Sequence, residues 1–299
     1  MTSSIHVVAP GNRFGNKAFL WSSLVLRALR SRLHESGLPH LPNWAPNKCP
    51  LKVFPLVGPG FQQLTATFVG VSGFSYPGWK GKFYPKETKG EEFLPYYSNK
   101  LSSVEINSSF YAQPTSSMVK GWVGKTATEF VFSFKSPKQI THIAKLGDES
   151  IEQVERMSKT LDLLGPRRGP ILFQLPPFSK QNLDVLREFL SKTRGVKKRV
   201  FEFRHESWFQ DATFTLLEDE GAGHCIVDSE DFATKLEVTS GLAYFRLRKE
   251  SYDQGSIDAW AKKIAQVTKG VAERYVYLRH DETGENAIFA QSLARTLGA

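Results

Sequence analysis

From residue 67 onward, apolar residues recur with strand-like and helix-like spacing in turn. Short alternating or β-branched apolar runs predict strands, and apolar residues at every third or fourth position predict helices between them. The predicted strands are FVGVSGF (68–74), SSVEINSSFY (102–111), EFVFSFK (129–135), PILFQLPP (170–177), RVFEFRH (199–205), HCIVDSE (224–230), LAYFRLRK (242–249) and YVYLRHDE (275–282). The predicted helices lie at 91–100, 116–126, 151–164, 182–190, 214–217, 257–267 and 287–297.

This order of elements predicts an α/β fold, a single (β/α)8 TIM-type barrel over residues 67–299. Parallel strands need crossover helices, and eight such strands close a sheet on itself. The chain of 299 residues has 40% hydrophobic content and 22 Phe, enough for one large core. A split into two smaller α/β domains is the structural alternative.

The first 66 residues differ from the remainder in charge and pattern. They contain four Arg, three Lys and one Glu, so they supply +6 of the formal net charge of +9. A basic, Ser-containing leader that is poor in acidic residues is typical of an organellar transit segment. A misassigned start codon and a disordered tail are the alternatives. We expect a chloroplast or mitochondrial location if the leader is a transit peptide, and a cytoplasmic one otherwise.

Cysteine content and hydropathy limit the class of protein further. Cys49 and Cys225 are the only cysteines, too few for a disulfide framework and too far apart for a metal-type pair. A membrane span needs about 18 or more apolar residues, and the best candidate, 18–29, is interrupted by Ser22, Ser23 and Arg27. We therefore expect no membrane association, and we expect a monomer.

Polar residues collect where the predicted strands end, as they do at the mouth of an α/β barrel. In VFEFRHESWF (200–209), alternation separates the two Phe from Glu202 and Arg204. If the bulky face of each strand meets the helices, the opposite face points into the barrel. The inward residues near the carboxyl ends are then Ser72, Glu105, Asn107, Lys135, Gln174, Glu202, Arg204, Asp228, Arg246, Arg248 and Arg279.

This set predicts a positive barrel mouth. Lys135, Arg204, Arg246, Arg248 and Arg279 are five cations, and Glu105, Glu202 and Asp228 are three carboxylates. Guanidinium groups match phosphate geometry with paired hydrogen bonds, so we expect an anion site. The alternative is a buried ionic network that plugs the barrel for stability alone.

Aromatic residues are frequent in the same predicted loops. Stacking on a sugar or base is one use for such residues, and core packing is the other. The aromatic candidates are Tyr76, Trp79, Phe110, Tyr111, Trp208 and Tyr252. Trp79 and Trp208 have Gly or polar neighbours in the sequence, and His205 adjoins the fifth strand.

Metal and nucleophile motifs are missing from the sequence. His142, His205, His224 and His280 could join Glu105, Glu202 and Asp228 at a divalent metal, but no His-x-His, HExxH or Cys pair occurs. GxSxG, GxGxxG and Walker patterns do not occur either. We therefore expect no cofactor, with a divalent metal as the alternative.

Six sequence blocks in unbroken order resemble the YecE-like family, known as domain of unknown function 72. They are VGVSGFSYPGWKGKFYP, VEINSSFY, FSFKSPKQITH, ILFQLPP, EFRHESWF and YLRHDETGENA, and they span about residues 68–297. The resemblance implies a TIM-type barrel, similar in shape to sugar-phosphate isomerases and metal-dependent repair endonucleases, without a defined activity. The chain departs from bacterial members at Arg248-Lys249-Glu250, where Leu-His-Gly is common, and at Arg279-His280, where Asn residues are usual.

Three function classes follow from the residues. The first is a hydrolase, lyase or isomerase for a phosphorylated sugar or nucleotide, with Glu105 or Glu202 as general base, Asp228 as a further catalytic carboxylate, and Arg204 and Arg246 as anion clamps. The second is a non-catalytic protein that binds nucleic acid or a phosphometabolite; an inactive scaffold is a third. The predicted substrate-binding residues are Ser72, Tyr76, Trp79, Asn107, Tyr111, Lys135, Gln174, Arg204, His205, Trp208, Arg246 and Tyr252.

Overall fold

Eight parallel strands form a nearly closed barrel in the computed structural model, which describes residues 65–299. From the second to the eighth, each strand pairs with the next in sequence, and the eighth pairs with the first. The first and second strands meet at an isolated bridge between Ser72 and Glu105. The predicted (β/α)8 architecture is therefore confirmed. The strands are β1 Ala66–Val71, β2 Ser103–Ile106, β3 Val131–Lys135, β4 Arg168–Gln174, β5 Arg199–Glu202, β6 Gly223–Asp228, β7 Leu242–Leu247 and β8 Glu273–Leu278.

Helices follow seven of the eight strands. They are α1 Phe93–Ser98, α2 Ser116–Val123, α3 Ile151–Leu161, α4 Leu183–Lys192, α5 Asp211–Asp219, α6 Gln254–Val267 and α7 Glu285–Leu297. Side chains of Thr115, Asn182 and Asp253 cap α2, α4 and α6 by accepting backbone N–H bonds. Between β6 and β7, residues 229–241 contain no helix and run back along β6.

A tyrosine closes the barrel between β1 and β2. Tyr97 of α1 accepts a hydrogen bond from the Val71 N–H at 2.8 Å and donates to the Ser103 carbonyl at 3.0 Å. A side chain at Gly70 would collide with that carbonyl, because its Cβ would lie 1.9 Å from the oxygen. Close packing of β1 at this seam therefore requires glycine at position 70.

Apolar layers pack against both faces of the strands, one outside the barrel and one inside it. The outer layer joins strands to helices, as the sequence predicts for β3, where Phe132 stacks on Trp122 of α2 at 5.6 Å. The inner layer contains tyrosines as well as aliphatic residues. Tyr277 shares its hydroxyl with Ser103 and Ser133, and each partner is a small residue that leaves room for the ring. The barrel interior is thus a packed core beneath its mouth.

The predicted leader, residues 1–66, lies outside the described residues except for its last two. Ala66 already begins β1, and Thr65 donates its hydroxyl to the Val271 carbonyl at 2.8 Å. The barrel therefore starts slightly earlier than the sequence predicts. Within residues 65–299, no helix has the length and apolar character needed to cross a membrane.

Candidate functional site

A cavity of about 460 Å³ opens at the carboxyl ends of the strands. This is the face at which TIM barrels place their binding sites. Residues at or just beyond the ends of β2 to β8 line the cavity, together with the first part of the β6–β7 segment. They are Asn107, Phe110, Tyr111, Lys135, Gln174, Glu202, Arg204, Val227, Ser229, Glu230, Asp231, Phe232, Arg246, Arg248, Arg279 and His280.

A buried ionic cluster forms the floor of this cavity. Arg246 Nη1 donates to Glu202 Oε2 at 2.7 Å, and its Nη2 donates to Glu105 Oε2 at 2.9 Å. Gln174 donates to the second Glu202 oxygen at 2.6 Å, and Tyr244 donates to the second Glu105 oxygen at 2.8 Å. These bonds offset the desolvation of three buried charges. The ionic network that the sequence left as an alternative therefore exists for these three residues.

The pKa values of both glutamates are depressed. Burial alone would raise the pKa of Glu105, but the charges of Arg246 and Arg248 outweigh it and lower that pKa to about 2. The pKa of Glu202 is also lowered, because Arg246 and the bond from Gln174 outweigh the effect of burial. Both groups are anionic at neutral pH. A general base works best with a pKa near the working pH, so these values oppose that role.

Two further cations lie close above the cluster. Arg248 donates to Ser72 Oγ at 2.6 Å, and Ser72 in turn donates to Glu105 at 2.8 Å. Burial and the neighbouring Arg246 lower the pKa of Arg248 to about 10. Burial and Arg246 also lower the pKa of Lys135, to about 8. Both pKa values are lowered because each cation is poorly hydrated and lies beside another positive charge.

Arg204 and Arg279 complete the cationic lining. Arg204 forms no ion pair within residues 65–299. Its guanidinium carbon lies 5.4 Å from the Phe232 ring centroid, and its buried Nε has no hydrogen-bond partner in the described part of the chain. Within residues 65–299 the one ion pair of Arg279 is with Glu250, at 3.9 Å, and that carboxylate is exposed.

Acidic residues from the β6–β7 segment reduce the charge of the cavity. Glu230 and Asp231 line it beside Phe232. With Glu202 in the lining and Glu105 below, four carboxylates oppose five cations, which leaves one net positive charge. The sequence predicted an excess of two, because it missed this segment and included Asp228.

The predicted inward orientation of Asp228 is wrong. Its Oδ2 accepts bonds from Tyr252 and from Trp260 of α6, each at 3.0 Å, so the side chain points outward to the helix layer. In β6 the inward positions are Cys225 and Val227, which pack in the inner core. Strand alternation therefore turns Asp228 away from the cavity. Tyr252, a predicted ligand contact, is buried against the same carboxylate.

Trp79 lies in the packed interior and not in the cavity. Its Nε1 donates to the Asp281 carbonyl at 2.7 Å, joining the loop after β1 to the loop after β8. Gly284, with φ +83°, faces the indole, and a Cβ there would lie 2.9 Å from Trp79. Tyr76 stacks on His280 and packs at a tilt against Trp79, so it too lies behind the cavity lining.

Trp208 and His205 also lie outside the lining of this cavity and make structural contacts. Trp208 stacks on Phe203 at 4.4 Å and donates to the Ser179 carbonyl at 2.8 Å. His205 Nδ1 accepts from the Ser207 N–H at 3.2 Å, which caps the short turn that follows β5. The two side chains fix the loops after β4 and β5.

The structure brings together about half of the predicted site residues. Asn107, Tyr111, Lys135, Gln174, Glu202, Arg204 and Arg246 line the cavity. Ser72 and Glu105 lie beneath it, and the other predicted residues are elsewhere. Sequence reasoning did not assign Ser229 to Phe232 to the site, since an irregular segment carries no periodic signal.

The backbone N–H groups at the start of α7 already donate to a side chain of the protein. TIM barrels often bind phosphate near the loops after β7 and β8, at a helix N-terminus. Here the Asp281 carboxylate accepts the backbone N–H groups of Thr283, Glu285 and Asn286 at 2.9–3.1 Å. An anion in this barrel would therefore be held by side chains.

The histidines in the described part of the chain do not assemble with carboxylates. No group of three or more His, Cys, Asp or Glu side chains in residues 65–299 has a metal-binding arrangement. His224 is packed among Phe203, Phe209 and Phe214, and burial lowers its pKa to about 4. His142 contacts Phe110 behind the lining.

Comparisons with known proteins agree with the sequence blocks. The family profile described as "Protein of unknown function DUF72" matches residues 68–299. The UPF0759 protein YunF of Bacillus subtilis is 29% identical over 260 residues, covering 74% of this chain and 90% of YunF. The UPF0759 protein YecE of Escherichia coli is 31% identical over 171 residues, covering 54% of this chain and 59% of YecE.

Solved structures share the same fold. A DUF72 family protein from Thermotoga maritima aligns with a TM-score of 0.69 and 27% identity, over 78% of this chain and 100% of that one. A DUF72 family protein from Enterococcus faecalis aligns with a TM-score of 0.64 and 18% identity, over 79% of this chain and 99% of that one. The second likeness concerns the fold alone.

Proposed function

Because this chain belongs to the DUF72 family, whose description assigns no activity, we propose from its cavity that it binds a small phosphate-bearing molecule at the mouth of the barrel. The ligand enters the cavity above the Glu105–Arg246–Glu202 cluster. Its phosphate contacts the cations of the lining, and the remainder of the molecule lies against Gln174, Asn107 and the aromatic rim.

The observation that carries this proposal is the unpaired guanidinium of Arg204. Arg246 is neutralised by two glutamates, whereas Arg204 lines the cavity without a carboxylate partner in residues 65–299. Buried polar groups normally have partners, and Arg204 Nε has none among the described residues. A planar fork of N–H donors matches the oxygens of a phosphate.

The dimensions of the cavity favour a small molecule over a polymer. Its volume of about 460 Å³ lies within the range of about 300–1,000 Å³ that is typical of small-ligand sites. Tyr111 and Phe110 lie at the rim, and Tyr111 is 74% exposed. A sugar or base ring attached to the phosphate has an aromatic surface to contact there.

The buried glutamates serve as supports in this proposal. Glu202 holds Gln174 and Arg246 in place, and Glu105 holds Arg246, Tyr244 and Ser72. Their low pKa values make them poor proton acceptors at neutral pH. The general-base role that the sequence suggested for Glu105 or Glu202 therefore receives no support from these lowered pKa values.

Calorimetric titration tests this proposal with matched ligands. Ribose 5-phosphate and inorganic phosphate are compared with ribose, which lacks the anion, and with a single-stranded oligonucleotide. We expect the phosphate compounds to bind and ribose not to bind. Binding of the oligonucleotide alone, with a steep dependence of log affinity on log salt, would favour a nucleic-acid site instead. No heat with any phosphate compound would refute the proposal.

A further inference from the structure

Lys135 is the lysine that lines the cavity, and its amine has no polar partner among the described residues. It is the last residue of β3, and its side chain lines the cavity on the inward face. Its Nζ lies 4.0 Å from the Phe110 ring centroid. It forms no ion pair and no side-chain hydrogen bond within residues 65–299, unlike Arg246 and Arg248 on the opposite strand.

Charged groups from three strands act on the pKa of this amine. Glu105 from β2 and Glu202 from β5 favour the charged form, whereas Arg246 and Arg248 from β7 oppose it. Burial is the largest influence and also opposes the charge. His142, whose own pKa is lowered by burial and then by Lys135 and Arg204, lies behind Phe110. The two arginines and burial prevail over the two carboxylates.

We propose that Lys135 is a nucleophilic amine that forms an imine with the carbonyl group of a phosphate-bearing ligand. This inference rests on the proposed function, because the phosphate is what would hold the carbonyl carbon beside Nζ. Arg204 and Arg279 supply the anion contact, and Lys135 supplies the covalent one. The substrate class is then a phosphorylated aldehyde or ketone.

The chemistry of this step balances without any other reagent. The neutral amine attacks the carbonyl carbon, a C–N bond forms, and a proton passes from the nitrogen to the carbonyl oxygen to give a carbinolamine. The hydroxyl of the carbinolamine takes a second proton from solvent and leaves as water when the C–O bond breaks, which gives a protonated imine. A neutral amine, a carbonyl and one proton thus become a protonated imine and one water molecule, with no oxidation or reduction. Lysines that are desolvated or placed beside another cation are suited to this chemistry.

The shifted pKa makes the neutral amine available at physiological pH. With a pKa of about 8 for Lys135, roughly one molecule in ten has the neutral amine at pH 7. A lysine with the ordinary pKa would have this form in fewer than about one molecule in a thousand. The aromatic face of Phe110 stabilises the ammonium without taking its proton.

Trapping with borohydride tests this proposal. Pyridoxal 5′-phosphate is the probe, because it is a phosphorylated aldehyde whose imine absorbs visible light and is reduced to a stable secondary amine. Pyridoxal tests the need for phosphate, and pyridoxine 5′-phosphate, which has an alcohol in place of the aldehyde, measures phosphate binding alone. Peptide mapping by mass spectrometry locates the adduct in the full chain.

We expect pyridoxal 5′-phosphate to label Lys135 at least tenfold faster than the exposed Lys138. We expect pyridoxal, which lacks the phosphate, to label Lys135 much more slowly than pyridoxal 5′-phosphate does. Lys135→Met should abolish the mapped adduct and the absorbance change, and Lys138→Met should preserve both. Labelling that is no faster at Lys135, or that does not depend on phosphate, would overturn the inference. If pyridoxine 5′-phosphate still binds in that case, the proposed function stands. If it does not bind, the proposed function fails too.

Discussion

Arg246 and Glu105 form a fully buried ion pair, with 2.9 Å between Nη2 and Oε2, directly beneath the cavity. The same guanidinium also contacts Glu202, so its single charge is already compensated. This relationship divides the cations of the mouth into two groups. Arg246 supports the barrel, whereas Lys135 and Arg204 remain available to a ligand.

The ion pair predicts a large and pH-dependent effect of Glu105→Gln on stability. Gln keeps the shape but removes the charge beside Arg246, so the free energy of unfolding at pH 7 should fall by about 2–4 kcal/mol. The pKa of Glu105 is lowered from 4.5 to about 2. Its stabilising effect is therefore complete above about pH 4.5 and is lost as the pH falls toward 2. Urea unfolding at pH 7 and pH 3.5 measures both effects.

The control for this variant is Glu129→Gln, which removes an exposed carboxylate that forms no ion pair within residues 65–299. We expect its free energy of unfolding to match that of the parent within about 0.5 kcal/mol. An equally small loss in Glu105→Gln would contradict the assignment of Arg246 to a supporting role.

Lys135→Met should stabilise the protein at pH 7. The parent lysine has a folded pKa of about 8, below the ordinary 10.5, so the unfolded chain binds more protons and the parent gains stability as pH rises from 8 to 10.5. Replacing the amine with a thioether of similar length removes the free-energy cost of burying the ammonium group in the folded protein. We expect a gain of about 1–3 kcal/mol at pH 7.

This gain should shrink as the pH of thermal unfolding is raised from 8 to 10, because the native lysine then loses its charge. Lys138→Met provides the comparison and should change little at any pH. A loss of stability in Lys135→Met at pH 7 would instead place Lys135 in the ionic network with Glu202.

Trp79→Phe should lower the stability of the protein without changing its affinity for a ligand. Phe keeps most of the buried ring but removes the donor to the Asp281 carbonyl. That carbonyl would lose its partner, at a cost of about 1–3 kcal/mol in the free energy of unfolding. The affinity for ribose 5-phosphate should remain within about twofold of the parent, since Trp79 lies outside the cavity. A tenfold loss of affinity would restore Trp79 as a ligand contact.

The order of strands and helices was readable in the sequence because each element buries one face with a fixed period. The same alternation correctly oriented Glu105, Lys135 and Arg246, which lie within regular strands. In β6 the alternation also holds, but the wrong face was assigned to the barrel interior. Cys225 and Val227 face inward, so Asp228 faces outward, where Tyr252 and Trp260 donate to it. Both faces of this strand carry apolar residues, so bulk alone did not distinguish them.

Loop residues were harder to place. Trp79 and Trp208 have Gly and polar neighbours in the sequence, yet both indoles are buried by contacts more than 25 residues away in the chain. Such contacts depend on how two loops meet, which local sequence does not determine. The approach of Phe232 to Arg204 has the same origin. Tertiary packing decided these positions.

Arg204 provides the most direct test of the anion site. Arg204→Lys keeps the charge and loses the planar fork, and Arg204→Gln loses both. Each lost charge-assisted hydrogen bond should cost about 1–3 kcal/mol of binding free energy. The control is Arg295→Gln, which removes the same charge from an exposed position near the end of α7, where it forms no ion pair within residues 65–299.

The deciding measurement is calorimetric titration of ribose 5-phosphate into the parent and these three variants at one salt concentration. We predict that the parent and Arg295→Gln bind with equal affinity, that Arg204→Lys binds about tenfold more weakly, and that Arg204→Gln binds more weakly still. Equal affinity of Arg204→Gln and the parent, or no binding by the parent, would contradict the account.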